Sequence, residues 1–301
     1  MNSNQSDRDP SGQKNVLGTE FSRFSRELTS FEIHQFQDLI YDFYNRRGRS
    51  FPWRETTNPY HILVSEFMLQ QTQTQRVIKK YEQFLIKFPD FPSLAQAPLR
   101  DILSVWRGLG YNRRALSLKK TAQLVMSDHG ILPDDPALLT AFPGIGKATA
   151  GAIFVYAFNK PAIFLETNIR TVFLHFFFSG EYNITDAKIL PLVDHTLDRK
   201  NPRTWYYALT DYGVWLKKKC KNPGKRSAHY QVQSPFKGSD RELRGTILAA
   251  LLSEGEMPVE DLMRILPFAK EKIETILTRL QKEGFITIEE KSGRIYVRIV
   301  S

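Results

Sequence analysis

Apolar residues recur along the chain at the three- and four-residue spacing of amphipathic helices. Phe36, Leu39, Ile40 and Phe43 form the first such stripe. Proline and glycine separate the helical stretches that follow, which we place at residues 62–71, 74–88, 93–97, 99–107 and 113–129. Further helices are predicted at residues 137–141, 147–157, 168–178, 189–197 and 202–216. We find no alternation long enough for a β-strand before residue 284, so the pattern predicts an all-α body of about ten helices.

The last part of the chain shows a different pattern. Three short amphipathic helices are predicted at residues 240–253, 258–266 and 270–283. Two stretches of alternating apolar and polar residues follow, with Ser292 and Gly293 between them, which is a good signal for a β-hairpin. Three helices and a hairpin are typical of a small winged-helix (α+β) domain. The pattern leaves open whether this domain reads DNA or serves packing or dimerisation.

These patterns divide the 301 residues into four segments. They are a tail at residues 1–25, a helical body at 26–216, a basic linker or loop at 217–239 and a C-terminal domain at 240–301. The tail is rich in Asn, Ser, Gln and Asp, so we expect it to be disordered. The helical body is long enough to bury a substantial apolar core.

The charge balance indicates a polyanionic partner. The formal net charge is +10 and the isoelectric point is about 9.5, which favours nucleic acid, although a membrane surface or solubility alone would also account for such a charge. No apolar run reaches the ~18–20 residues of a membrane span, and residues 1–18 lack the apolar core of a signal peptide. We therefore expect no membrane partner.

Cysteine usage limits the possible cofactors. Cys220 is the only cysteine, so an intrachain disulfide is impossible and a reducing, cytoplasmic location is expected, nucleoid-associated if the source is prokaryotic. One thiolate also cannot build a zinc or iron–sulfur centre of the usual kind.

Residues 142–147, Phe-Pro-Gly-Ile-Gly-Lys, predict a tight turn between two helices. Gly144 and Gly146 permit backbone conformations that a Cβ would obstruct, and they allow close approach to N–H groups at the start of the next helix. The helix dipole favours an anion there, and Lys147 adds positive charge. A DNA phosphate is the anion we expect, although an ordinary interhelical turn would have the same pattern.

A second basic feature follows the helical body. Residues 217–226 carry six positive charges and no acid, namely Lys217, Lys218, Lys219, Lys221, Lys225 and Arg226. We interpret this run as a linker or a DNA-facing loop, and a solvated run of charges is the alternative.

Two carboxylates are candidates for chemistry. Glu66 falls in an apolar helix, where burial raises the pKa of a carboxyl group and makes it a plausible proton donor; a structural glutamate paired with an arginine is the alternative. Glu166 follows an apolar run and precedes a predicted helix, so a helix-terminal acid is its alternative role. One protonated and one ionised carboxylate in the same cleft is the arrangement that glycosidic cleavage requires.

Several motifs together indicate a family. In this order along the chain they are residues 51–54, 58–66, 68–73, 106–111 and the Pro-Gly-Ile-Gly turn at 143–146. Over residues 31–216 the chain resembles the adenine-DNA glycosylase (MutY) branch of the helix-hairpin-helix (HhH-GPD) DNA glycosylases, which include endonuclease III. The resemblance implies a two-lobed helical body. It also implies a monomeric base-excision enzyme acting on double-stranded DNA with a mispaired or damaged base.

The resemblance also implies roles for individual residues. Glu66 matches the general acid that protonates the adenine leaving group, and Glu166 occupies the position of the essential aspartate. Gln70 and Gln71 match residues that contact or wedge the DNA. Tyr111 is expected to insert beside the lesion, with a core aromatic as the alternative. The turn around Gly144 and Gly146, with Lys147, would hold a phosphate, and carbonyls at 142–146 could hold K⁺ or Na⁺.

The chain departs from the family pattern at three positions. Glu166 replaces an aspartate, and the extra methylene moves the carboxylate by about 1.5 Å, which can cost ~10²-fold in rate. Ala148 stands where bifunctional relatives carry a lysine nucleophile, and this favours a monofunctional, water-using enzyme. Most relatives also bind a [4Fe–4S] cluster through four cysteines, the first of which would fall at Lys217, so we expect no cluster.

The C-terminal segment departs as well. Residues 240–301 do not resemble the nucleoside-triphosphate hydrolase-like domain with which adenine glycosylases read 8-oxoguanine. Adenine opposite guanine or 8-oxoguanine is our favoured substrate, because Glu66 lies where protonation of purine N7 requires an acid. Removal of mismatched thymine or uracil on the same scaffold is an alternative, and so is a non-catalytic DNA-binding protein.

Overall fold

The structure is a computed structural model that describes residues 28–300. The tail predicted at residues 1–25 lies outside this range. The α-helices in chain order are α1 (Ser30–Arg47), α2 (Pro59–Leu69), α3 (Thr74–Lys87), α4 (Phe91–Gln96), α5 (Leu99–Trp106), α6 (Arg113–Ser127), α7 (Pro136–Leu139), α8 (Lys147–Phe158), α9 (Thr167–Phe177), α10 (Asp186–Thr196), α11 (Pro202–Lys219), α12 (Asp240–Glu254), α13 (Val259–Ile265) and α14 (Lys270–Glu283). Short 3₁₀ helices lie at Pro52–Arg54 and Pro223–Arg226. The predicted predominance of helix is confirmed.

The residues form two compact units, and each unit combines two separate stretches of chain. Among the described residues, the first unit comprises those up to Arg49 together with Asn159–Gln231. The second unit comprises Ser50–Phe158 together with the residues from Val232 onward. The boundaries of the four segments that we predict from the sequence stay predictions.

The core of the first unit is aromatic. Phe36 of α1 is fully buried, and its ring centroid lies 5.8 Å from that of Trp205 in α11. The centroid of Phe177 in α9 lies 5.2 Å from the same ring. Arg49 closes this unit by pairing with the buried Asp211, its Nη2 lying 2.6 Å from Oδ1. These contacts place α9 and α11 side by side. Glu166 directly precedes α9, and Lys217 lies in the last turn of α11.

The second unit has one continuous apolar core that draws on both of its stretches. Leu63 of α2 and Trp106 of α5 belong to the same cluster of buried side chains as Leu248 and Phe285 from the C-terminal stretch. Arg100 also donates a hydrogen bond to the carbonyl oxygen of Leu252 at 2.7 Å. The C-terminal residues are therefore part of this unit's core.

The C-terminal stretch contains a small antiparallel sheet in the order β1–β3–β2. Its strands are β1 (Met257–Pro258), β2 (Ile286–Lys291) and β3 (Arg294–Ile299). The hairpin predicted around Ser292 and Gly293 is confirmed, and both residues have positive φ, as a two-residue hairpin turn requires. The prediction of no strand before residue 284 is wrong, since β1 lies at Met257–Pro258. The pattern could not reveal this strand, because two residues are too few to show alternation.

The end of one helix differs from the prediction in a region that matters for function. Helix α11 continues to Lys219, three residues beyond the predicted end at residue 216. Lysine is a good helix former, and its charge is favourable in the last turn of a helix, where the dipole is negative.

Within residues 28–300, no helix has the length and apolarity needed to cross a membrane.

Candidate functional site

Glu66 lies on the apolar helix α2 of the second unit. Asn58 caps this helix, since its side-chain oxygen accepts hydrogen bonds from the N–H groups of Tyr60 and His61 at 2.9 and 3.4 Å. Both Leu63 and Phe67 are fully buried, whereas Glu66 is half-buried. The sequence thus places one carboxylate on an otherwise buried stretch of helix, as predicted.

The buried Arg114 ties the end of α2 to a neighbouring turn. Its guanidinium donates to the carbonyl oxygens of Phe67 and Met68 at 2.9 and 2.8 Å. Hydrogen bonds also reach the carbonyl oxygens of Gln70, Leu109 and Gly110 and the hydroxyl of Thr72. Burial lowers the pKa of Arg114 to about 10, so the side chain stays charged at neutral pH. Sequence reasoning did not find this residue.

Tyr111 lies in a strained turn that Arg114 helps to hold. Its φ is 47°, and Gly108 and Gly110 before it have φ values of 96° and 70°. Such a backbone costs about 1–3 kcal/mol at a non-glycine residue and persists only when its surroundings impose it. The guanidinium of Arg241, from α12, lies 5.8 Å from the centroid of the Tyr111 ring and donates to its hydroxyl at 3.1 Å. The half-buried Tyr111 is therefore held from two sides.

The turn at residues 142–147 packs directly on α2. Gly144 has a φ of 82°, and a Cβ there would lie 2.9 Å from the ring of Phe67, so only glycine fits. The side-chain amide of Gln70 donates to the carbonyl oxygen of Gly144 at 3.1 Å. By contrast, Gly146 and Lys147 are exposed, and nothing lies within 4 Å of a Cβ built on Gly146. The outer face of the turn is open.

Gln70 and Gln71, which look equivalent in the sequence, have different surroundings. Gln70 is half-buried and holds the turn, with a second hydrogen bond to the hydroxyl of Thr149 at 3.3 Å. Gln71 is exposed and has a φ of 54°. This positive φ is unfavourable for a residue with a side chain, so the backbone at Gln71 is strained.

Glu166 caps helix α9 of the first unit. Its Oε1 accepts hydrogen bonds from the backbone N–H groups of Asn168 and Ile169 at 2.8 and 2.9 Å. Its Oε2 accepts one from the side-chain amide of Asn168 at 3.1 Å. The helix-terminal role is therefore real, and the same three bonds fix the direction of the half-buried carboxylate.

Lys217 reaches the same group of residues from α11. Its Nζ donates to Oδ1 of Asn168 at 2.7 Å. Burial lowers the pKa of Lys217, and the nearby charge of Glu166 opposes this shift. One turn earlier on α11 lies Gly213, where a Cβ would come within 2.2 Å of the Asn168 carbonyl oxygen. The two helices are therefore in backbone contact at Asn168.

The other basic residues of the 217–226 run fall into two groups. Arg226 is half-buried and donates to the carbonyl oxygen of Phe178 at 2.7 Å and to that of Leu174, near the end of α9. Its pKa is lowered, mainly by burial. The remaining side chains are exposed: Lys218, Lys219, Lys221 and Lys225. Cys220 between them is exposed and free, and no cluster of three or more His, Cys, Asp or Glu in residues 28–300 could hold a metal ion.

Comparison with known proteins identifies the family. Residues 64–192 match the HhH-GPD superfamily base excision DNA repair proteins. A thymine/uracil-DNA glycosylase of Methanothermobacter thermautotrophicus is 30% identical over 207 residues, which are 66% of this chain and 93% of that protein. The chain belongs to the HhH-GPD superfamily. The family resemblance drawn from the sequence motifs is confirmed.

Adenine DNA glycosylases are also similar to this HhH-GPD protein. The one from Buchnera aphidicola subsp. Baizongia pistaciae is 37% identical over 187 residues, which cover 60% of this chain and 52% of that protein. The chain thus spans about half the length of these relatives. Among solved structures, a thermostable thymine-DNA glycosylase aligns with a TM-score of 0.57 at 28% identity. The alignment covers 62% of this chain and 88% of the glycosylase chain. The predicted glycosylase fold is confirmed.

Proposed function

We propose that the protein is a monofunctional DNA N-glycosylase of base-excision repair that acts as a monomer on double-stranded DNA. The observation that carries this proposal is the HhH-GPD match over residues 64–192, because this stretch contains both Glu66 and Glu166. The fixed carboxylate of Glu166 and the half-buried carboxylate of Glu66 support it.

In the proposed reaction the target nucleotide is flipped out of the duplex, and Glu66 and Glu166 have separate roles. Glu66 donates a proton to a ring nitrogen of the base as the bond between that base and C1′ of the sugar breaks. Glu166, as an anion, stabilises the positive charge that develops on the sugar. A water oxygen then bonds to C1′ and releases its proton to solvent, which leaves a free base and an abasic site. Ala148 in the first turn of α8 offers no amine for the lyase reaction.

Adenine opposite guanine or 8-oxoguanine is the proposed substrate, supported by the 37% identity to an adenine DNA glycosylase. Thymine or uracil opposite guanine is the second candidate. It is favoured by the similarity to the thymine/uracil-DNA glycosylase of Methanothermobacter thermautotrophicus, 93% of which aligns with this chain. Duplexes with A:8-oxoguanine, A:G, T:G, U:G and hypoxanthine should be tested for base release under single-turnover conditions. We expect release chiefly from the adenine duplexes. Release confined to T:G and U:G would support the second candidate, and binding without release would support a non-catalytic protein.

Glu166→Gln is expected to reduce the single-turnover rate by ~10²–10³-fold, as loss of an electrostatic stabiliser does. Glutamine keeps an oxygen that accepts the N–H bonds of Asn168 and Ile169, so the cap and the fold should persist. Affinity for the substrate duplex should stay as in the wild type. Glu181→Gln, at an exposed carboxylate of the same unit, is the control. A Glu166→Gln protein with the wild-type rate would contradict the proposed role.

We propose that DNA phosphates are held by the outer face of the 142–147 turn, with Gly146 and Lys147, and by the exposed lysines in the last turn of α11 and after it. Replacing Lys218, Lys219, Lys221 and Lys225 by glutamine should weaken DNA binding at low salt. It should also reduce the salt dependence of log Kd, by about 0.9 for each phosphate that a lysine no longer neutralises. The control replaces four exposed lysines elsewhere: Lys79, Lys120, Lys188 and Lys200. Equally weakened binding in both proteins would mean that only total charge matters.

We further propose that the protein works without a [4Fe–4S] cluster. The single, exposed Cys220 cannot supply the four thiolates such a cluster needs, and Lys217 points to Asn168. A monovalent cation at the carbonyls of residues 142–146 also remains part of the proposal. The carbonyl of Gly144, one of these candidate ligands, already accepts a bond from Gln70.

For the C-terminal stretch we propose a winged-helix domain with a packing role. The order of its elements and the β1–β3–β2 sheet support this assignment. Its charged side chains contact the earlier stretch of the same unit: Glu283 pairs with Arg113 of α6, and Arg241 bonds to Tyr111. These contacts favour packing over the reading of DNA.

A further inference from the structure

We propose that Lys217 is a positioning residue for the carboxylate of Glu166 and acts through the side chain of Asn168. The proposal rests on the proposed glycosylase function, in which Glu166 stabilises the sugar cation. Lys217 stands at the position where the family resemblance puts the first cluster ligand. A direct line of hydrogen bonds leads from this residue to the proposed active carboxylate.

The geometry forms a short relay. The Lys217 ammonium donates to Oδ1 of Asn168 at 2.7 Å, and Nδ2 of the same amide donates to Oε2 of Glu166 at 3.1 Å. The backbone N–H of Asn168 donates to the other carboxylate oxygen at 2.8 Å. Asn168 therefore contacts both oxygens of Glu166 and the ammonium group at once.

The chemistry of the two ends determines how the amide is oriented. An ammonium group has only donors, and an ionised carboxylate has only acceptors. The amide can satisfy both ends only with its oxygen towards Lys217 and its nitrogen towards Glu166. Without the ammonium group, the amide oxygen would no longer be held in that direction. The Glu166 carboxylate would then lose a donor that keeps it in place.

The packing of α11 explains why Lys217 reaches this amide. Gly213 lets the helix approach the backbone of Asn168 closely, and Lys217 lies four residues later on the same face. The side chain is half-buried there, whereas Lys218 and Lys219 are exposed. Within the basic run, Lys217 is therefore directed into the protein and not towards a phosphate.

The experiment compares Lys217→Met, which removes the donor but keeps the length, with Lys217→Arg, which keeps a donor. Lys188→Met, at an exposed lysine on α10 of the same unit, is the matched control. We expect Lys217→Met to slow single-turnover base release by roughly 10–100-fold, because misplacing an active group by about 1 Å can cost ~10²-fold in rate. Its Kd for the substrate duplex should not change, and Lys217→Arg should recover most of the rate. In an Asn168→Ala background, Lys217→Met should have no further effect.

A second readout does not depend on activity. Hydrogen exchange of the Asn168 and Ile169 amides, which bond to Glu166, should be faster in Lys217→Met than in the wild type and in Lys188→Met. If the wild type released no base, the proposed function would fail, and this exchange alone would decide the positioning role. Unchanged exchange would overturn the proposal. So would a Lys217→Met protein that binds DNA more weakly but keeps its rate, or an equal loss of rate in the Asn168→Ala background.

Discussion

Replacing Glu66 by glutamine is expected to lower the rate of base release by ~10²–10⁴-fold, the usual contribution of a general acid. Glutamine has nearly the same shape, but it cannot deliver a proton to the departing base. It should be tolerated, because Glu66 is half-buried and lies on a helix whose neighbouring side chains are fully buried. Single-turnover excision measures the rate, and an electrophoretic shift with the same duplex measures binding.

The control for this prediction is Glu82→Gln, at an exposed carboxylate on α3 of the same unit. Its rate, affinity and melting temperature should match the wild type. If Glu66→Gln kept most of its activity on the preferred duplex, another group would supply the proton and the proposed mechanism would be wrong. If its melting temperature fell sharply, Glu66 would instead be the structural glutamate that the sequence left open.

Arg114→Met is expected to destabilise the protein by ~3 kcal/mol or more. Seven backbone or hydroxyl oxygens would lose a donor, and each buried polar group without a partner costs about 1–3 kcal/mol. Methionine would fill much of the space that the arginine side chain occupies, but it has no N–H group to replace the lost hydrogen bonds. Thermal and denaturant unfolding measure the effect. A loss of ~3 kcal/mol corresponds to a fall of roughly 6–12 °C in Tm for a unit of about 150–250 residues.

The neighbouring arginine provides the control. Arg113 has an exposed side chain and pairs with Glu283, and surface pairs contribute about 0–1 kcal/mol. Arg113→Met should therefore cost much less than Arg114→Met. Equal, small effects in the two variants would show that water satisfies the carbonyl groups around Arg114, and that this residue does not hold the end of α2 to the Tyr111 turn.

Local signals in the sequence were enough to predict most helices. The stretch predicted at 74–88 forms Thr74–Lys87, and the one at 168–178 forms Thr167–Phe177. Apolar periodicity and the glycines at the helix-hairpin-helix turn are local properties, so one sequence is sufficient to read them. The candidate carboxylates could also be found, because a charged residue within an apolar stretch stands out.

The choice of partners could not be predicted, because it depends on residues far away in the chain. Arg113 and Arg114 are adjacent and identical, yet one is exposed and the other is buried against the end of α2. In the basic run, Lys217 and Arg226 look like their neighbours, but each bonds to residues about fifty positions earlier. Only the packing of α9 against α11 distinguishes them.

The interleaving of the two units along the chain has a consequence for synthesis on the ribosome. Each unit needs a late stretch, Asn159–Gln231 for the first and the residues from Val232 onward for the second. Chains emerge from the N-terminus and domains generally fold as whole units. Residues 50–158 therefore lack part of their core until the residues from Val232 onward have been synthesised.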